Sequence, residues 1–197
     1  MSDFEVRMYS EDVTTGSVRE FMSNVRYHSN KIFGYGISDY NYSTERFADL
    51  VLNGKGGFFG VWFDSEGTDG YTFGLSRKED KFMILLEYSP NNNLPRFLNH
   101  VKNIYDVFSP SVGFAYNPEF IEETEVKQGK NLPHYFEWFW ILGPELAEQY
   151  DLSKIPAAFQ IKKLQDGGVI ILDPNPLNSK ITEQDKRKLY KLPKKRI

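Results

Sequence analysis

Three histidines and no cysteine bound the side-chain chemistry open to this 197-residue chain. Without cysteine there is no thiol nucleophile, no Cys-x-x-Cys redox pair, no zinc ribbon and no iron–sulfur cluster. The same absence is neutral about redox compartment, since a cysteine-free protein suits either. His28, His100 and His134 are too scattered for a sequence-local metal motif, with neither a His-Glu-x-x-His nor a His-x-His arrangement. His28 and His100 fall on expected helices and His134 follows Pro133, so each reads as a hydrogen-bonded structural histidine. No metal and no cofactor is expected.

The glycine clusters do not make a phosphate site. Asn53-Gly54-Lys55-Gly56-Gly57 lacks the Gly-Lys-Ser/Thr ending that puts a lysine on phosphates and a hydroxyl on magnesium. It also follows a helix and precedes a strand, the reverse of a phosphate-binding loop. Gly34-Tyr35-Gly36 has no third glycine at the required offset, and both clusters read as turns. Gly74-Leu75-Ser76 runs into Arg77-Lys78 and so is no nucleophile elbow. No catalytic residue is assigned, and the chain reads as a binding protein, not an enzyme.

Carboxylates and aromatic rings are the denser features. Glu119, Glu122, Glu123 and Glu125 form the strongest acidic patch. On a helix, Glu119, Glu122 and Glu123 share one face at i, i+3, i+4 and repel by a few tenths of a kcal/mol per pair, roughly. Such a patch is a solvated surface, a site whose repulsion is relieved when a basic partner docks, or, last in order, a metal-binding site. Asp64, Glu66 and Asp69 supply a second acidic group within one polar turn. Tyr135-Phe136-Glu137-Trp138-Phe139-Trp140 puts five rings in six positions, more than one face of any element can hide. Burial on both sides accommodates them; so does an interface on one face, because Trp and Tyr anchor interfaces. Base stacking fits poorly, since an acidic body lacks the electrostatic funnel for phosphates.

The elements that must position these groups follow from periodicity. Phe4, Val6 and Met8 alternate with Glu5 and Arg7, as in a half-buried strand. Val18, Phe21, Met22 and Val25 recur at i, i+3, i+4, i+7 and predict a helix over 17–29. Ser43 or Thr44 caps a second helix burying Phe47, Leu50 and Val51 and stopping at Asn53-Gly54. Residues 57–63, 70–76 and 81–88 read as three strands joined by polar turns, an antiparallel meander. Leu94, Phe97, Leu98, Val101, Ile104, Tyr105 and Phe108 hold one face of a helix through four turns, with Pro95 in its first turn.

Residues 112–116 then form a short strand. The bulky run 134–142 fits a strand or a helix by periodicity. Gly143-Pro144-Glu145 opens a short helix ending near Tyr150. Residues 159–164 and 169–172 flank Gln165-Asp166-Gly167-Gly168, a hairpin turn in which glycine supplies the positive φ. A charged helix begins at Thr182. With no internal repeat, the expected architecture is α+β: a single domain over 1–180 with helices packed on an antiparallel sheet, followed by a basic C-terminal tail, 181–197.

Composition agrees. At 40% apolar and 16% aromatic residues, the chain has ample material for a core without disulfides. The N-terminus Met1-Ser2-Asp3-Phe4-Glu5 has no basic and apolar leader, and the densest apolar run is interrupted by Glu137. A cytoplasmic protein without membrane contact is expected. The formal charge of −3 is uneven. From Glu183 onward seven Lys/Arg face two acidic residues, a net of +5, which leaves −8 on residues 1–182. An acidic body disfavours nucleic acid and favours a basic partner.

The order of these features resembles immunity proteins of bacterial polymorphic-toxin and type VI secretion systems, most nearly the immunity protein 52 family. An N-terminal strand–helix–helix unit is followed by Gly56-Gly57-Phe58-Phe59-Gly60-Val61-Trp62 opening a sheet. Helix 94–108 runs into Ser109-Pro110-Ser111-Val112-Gly113-Phe114-Ala115-Tyr116. Trp140-Ile141-Leu142-Gly143-Pro144-Glu145-Leu146, then Ile155-Pro156 and Leu164-Gln165-Asp166-Gly167-Gly168-Val169, complete the pattern over residues 4–173. The resemblance implies stoichiometric binding and neutralisation of a cognate protein toxin, with no catalytic constellation and an acidic surface where the toxin is a basic nuclease. It carries no motif that assigns functional residues. From charge and ring content, the expected contacts are Asp64, Glu66, Asp69, Glu119, Glu122, Glu123 and Glu125, with Tyr135 and Trp138 as aromatic anchors. Another protein-interaction module, and after it a hydrolytic enzyme, are the alternatives.

Overall fold

The computed structural model describes residues 4–28, 31–35, 48–49, 52–53, 57–62, 70–78, 81–88, 94–115, 132 and 136–195. The chain divides into two compact units, Met1–Ser109 and Pro110–Ile197. Both are antiparallel sheets with helices, so the protein is α+β.

The first unit comprises β1 (Phe4–Ser10), α1 (Thr15–His28), β2 (Lys31–Tyr35), β3 (Gly57–Trp62), β4 (Gly70–Lys78), β5 (Lys81–Tyr88) and α2 (Leu94–Phe108). Its strands lie in the order β2-β3-β4-β5-β1. The consecutive antiparallel pairs β3–β4 and β4–β5 are the expected meander. β1 closes against β5, with Val6 opposite Leu86 and Met8 opposite Ile84.

The period-two pattern of β1 is obeyed. Val6 and Met8 are fully buried, while Arg7 Nε donates to Glu5 Oε1 at 2.8 Å on the other face. Phe73 and Leu75 of β4 and Ile84 and Leu86 of β5 extend the buried layer across the sheet. Both helices lay aromatic side chains on it. The Phe21 ring of α1 stacks on Phe73 at 4.4 Å between centroids, and Phe108 of α2 lies 5.4 Å from Phe21 and 6.1 Å from Phe73. Offset ring pairs at such distances add stabilisation beyond their area.

Helix α2 buries Phe97, Leu98, Val101, Ile104, Tyr105 and Phe108, six of the seven positions its periodicity marks. The chain leaves it through Ser109 at φ 43°. The Ser10 hydroxyl donates to the Phe108 carbonyl there, satisfying an otherwise orphaned acceptor at the helix end.

Strand β2 departs from expectation. Gly34 and Tyr35 are not in a turn but in β2, in register with Phe59 and Phe58 of β3. Pairing with a neighbour outweighs glycine's weak strand preference, and that choice is tertiary. For the expected second helix, Ala48, Asp49 and Leu52 are helical, Ala48 is buried, and the Asn53 N–H donates to the Asp49 carbonyl at 2.9 Å. Its expected caps, Ser43 and Thr44, and Phe47, Leu50 and Val51 lie outside the described residues.

The second unit comprises β6 (Val112–Ala115), β7 (Phe139–Leu142), α3 (Pro144–Gln149), β8 (Gln160–Lys163), β9 (Val169–Leu172) and α4 (Glu183–Tyr190), with single 3-10 turns at Leu152–Lys154 and Pro176–Asn178. The strand order is β6-β7-β9-β8, each neighbouring pair antiparallel. Every residue of β6, β7 and β9 is buried, as continuous apolar runs covered on both faces require. The ambiguous run 134–142 is a strand over its last four residues.

Gly143 is the N-cap of α3, and its N–H donates to the Ser111 carbonyl at 2.9 Å. The β8–β9 hairpin turns at Gly167, φ +95°, as expected.

The basic C-terminal residues are built into this unit. Thr182 caps α4 by accepting from the Asp185 N–H, and Leu189 and Leu192 are buried. The Asp151 N–H donates to the Pro193 carbonyl at 2.8 Å, and Lys195 N–H to the Gln149 carbonyl at 2.9 Å. Among the described residues no helix is long and apolar enough to cross a membrane.

Candidate functional site

Of the nine residues expected to contact a partner, Asp64, Glu66, Asp69, Glu119, Glu122, Glu123, Glu125 and Tyr135 lie outside the described residues. Trp138 lies within them, just before β7, and is 6% exposed. Its ring is 5.4 Å from that of Phe139, and its carbonyl accepts the Asp173 N–H at 2.8 Å. The other described rings of the run, Phe136, Phe139 and Trp140, are likewise internal. Phe136 meets Trp140 at 5.5 Å and Phe159 at 4.9 Å, both edge-on, and Trp140 is fully buried. Of the two accommodations open to five rings in six positions, the described ones take burial on both sides.

The described histidine side chain belongs to α2. His100 is half-buried, its ring 4.7 Å from that of Tyr71 on β4. Burial pushes the Tyr71 phenol far above its ordinary pKa, so it keeps its proton at any physiological pH. His28 ends α1, and His134 lies outside the described residues. Among the described residues no three His, Asp or Glu side chains gather in a way that could hold a metal ion.

Two buried ionisable groups escaped the sequence reading. Lys81 opens β5 and is 7% exposed, with Nζ 3.2 Å from Glu11 Oε1. Asp173 leaves β9 and is 2% exposed; its Oδ1 accepts the Asn175 N–H at 2.8 Å, an Asx turn that redirects the chain. Neither carries a sequence signal, because a strand-end lysine and an Asp-Pro turn both read as surface features.

Residues 110–197 carry 13 Lys/Arg and 12 Asp/Glu, a net of +1 against −3 for the whole chain. All four residues of β8 are exposed, including Lys162 and Lys163. On α4 the Asp185 carboxyl is held below its usual range, chiefly by the Thr182 hydroxyl and next by Lys188. The Ser153 hydroxyl does the same for Asp151, aided by Lys154 and Lys195. These carboxylates are therefore committed to local cations and caps. Lys162 and Lys163, by contrast, share β8 with no acidic residue.

No protein-family model matches the sequence, and no curated protein matches it. Among solved structures, a matching chain comes from the crystal structure of the toxic C-terminal tip of CdiA from Pseudomonas aeruginosa in complex with an immune protein. The two chains are 15% identical; the match covers 62% of this chain and 92% of that one, with a TM-score of 0.38. An overlap this partial does not establish a common fold.

Proposed function

We propose that the chain is an immunity protein, which binds a cognate protein toxin one to one and blocks it by occupying its surface. The carrying observation is the charge division: −8 on residues 1–182 against +5 from Glu183 onward. An acidic surface of this size accelerates encounter with a basic partner such as a nuclease and rejects like-charged ones. The family resemblance adds support. Its described segments fall in β1 and α1, in β3, in α2 leading to β6, and from β7 to β9.

The toxin-facing carboxylates in this reading are Asp64, Glu66, Asp69, Glu119, Glu122, Glu123 and Glu125, beside Tyr135. Trp138, 6% exposed, does not present its ring as an anchor.

The test is co-expression with the product of the neighbouring reading frame. Rescue of growth and a 1:1 complex on gel filtration are the expected results, and toxicity without rescue overturns the reading. Within such a complex, Glu122→Lys with Glu123→Lys slows association about tenfold at low salt and flattens its salt dependence. An unchanged association rate removes that patch from the interface.

A further inference from the structure

We propose that the outer edge of β8 is a docking site for an extended, acidic segment of a partner protein, which adds to the sheet as a further strand. β8 is the last strand in the order β6-β7-β9-β8. Its neighbour β9 is buried at every residue, whereas all four residues of β8 are exposed. The strand thus projects beyond the layers that cover the sheet.

The pairing defines which backbone groups remain open. The Leu164 N–H donates to the Gly168 carbonyl at 2.8 Å, so 164 and 168 form a hydrogen-bonded pair. Antiparallel ladders alternate, so Lys162 with Ile170 and Gln160 with Leu172 are bonded pairs too. Ile161 and Lys163, opposite Ile171 and Val169, therefore turn their N–H and C=O groups away from β9. Two donors and two acceptors in a row along an exposed edge form a template for an incoming strand.

The side chains specify what arrives. Lys162 and Lys163 project to opposite faces, and β8 has no carboxylate of its own. Ile161, on the Lys163 face, is 39% exposed, one of the two exposed large apolar side chains among the described residues. An added strand fits when it sets two adjacent carboxylates beside the lysines and an apolar residue beside Ile161. A second copy of this chain does not fit, because edge-to-edge pairing would bring lysines against lysines.

The experiment uses the full chain and does not involve the toxin, so it stands or falls apart from the immunity reading. The probe is a blocked peptide, Thr-Val-Glu-Glu-Val-Thr, whose palindromic order suits either strand direction; the control replaces both Glu by Lys. Amide-resolved NMR should show slowed exchange at Ile161 and Lys163 with the acidic peptide and not with the basic one. Lys163→Pro deletes one outward N–H but no bond to β9, and edge strands tolerate such a proline. It should weaken binding about tenfold or more while the Leu164 amide stays protected. Lys162→Glu with Lys163→Glu, which leaves the backbone alone, should reverse the preference to the basic peptide. Unaltered exchange at Ile161 and Lys163 under saturating peptide, undiminished binding by Lys163→Pro, or association of the chain with itself through β8 would each overturn the proposal.

Discussion

Lys81 is a cation whose head group is enclosed by the fold while its partner, Glu11, is 63% exposed on its side chain. A buried ammonium is costly unless paired, so most of the energetic consequence sits with the lysine. Glu11→Gln leaves the ammonium facing a neutral amide, and solvent access at Glu11 limits the expected loss to about 1 kcal/mol. Lys81→Met keeps the apolar stem and removes the charge, so it is expected to cost less than Glu11→Gln. Urea unfolding of the two variants beside wild type decides the order. A larger loss for Lys81→Met would show that the ammonium makes some further favourable interaction.

At the scale of elements, two glycines hold the second unit together for different reasons. A Cβ on Gly143 would come within 3.0 Å of the Ser111 Cα and carbonyl oxygen and 3.1 Å of the Pro110 carbonyl oxygen, all backbone. Gly143→Ala must therefore push β6 and the start of α3 apart, at about 1–3 kcal/mol. Gly167 has open space, the nearest atom being Pro144 Cβ at 3.9 Å, but its φ of +95° disfavours any side chain. Gly167→Ala is expected to cost roughly 1–2 kcal/mol. Asparagine separates the causes: Gly167→Asn should recover part of the loss, since Asn tolerates positive φ, and Gly143→Asn should recover none. Thermal unfolding of the four variants reads this out. The Gly167 requirement was legible in the sequence because a hairpin turn announces itself locally. That of Gly143 was not, since the obstructing backbone belongs to residues 110–111 and reaches it only through folding.

For the molecule as a whole, the charge division does not follow the structural one, because the cationic C-terminal residues fold as part of the unit Pro110–Ile197. The cationic C-terminal residues end in a helix whose Leu189 is fully buried and whose Tyr190 ring lies 6.4 Å from Trp140. Leu189→Ala is expected to destabilise the protein by about 2–5 kcal/mol, measured by urea unfolding; a free tail would show no change. Deleting the residues after Ser179 therefore removes part of the fold along with the positive charge. The role of that charge in partner binding is better tested with exposed Arg187 and Lys191 changed to Gln, which leaves the buried leucines in place.

Periodicity determined most of the elements by itself: β1, α1, the β3–β5 meander, α2 and the β8–β9 hairpin all fall where alternation, apolar stripes and turn residues put them. Those signals are local, because a side chain's direction follows from its own backbone and its near neighbours. Net charge, the absence of cysteine and the dense aromatic run were likewise in the sequence alone. Tertiary structure decided the rest. It paired Gly34 into β2, enclosed Trp138 and Lys81, and placed β8 at the edge of its sheet while burying β9 on both faces. Each of these depends on which distant segment lies alongside, and burial and strand pairing are properties of that neighbour as much as of the residue itself.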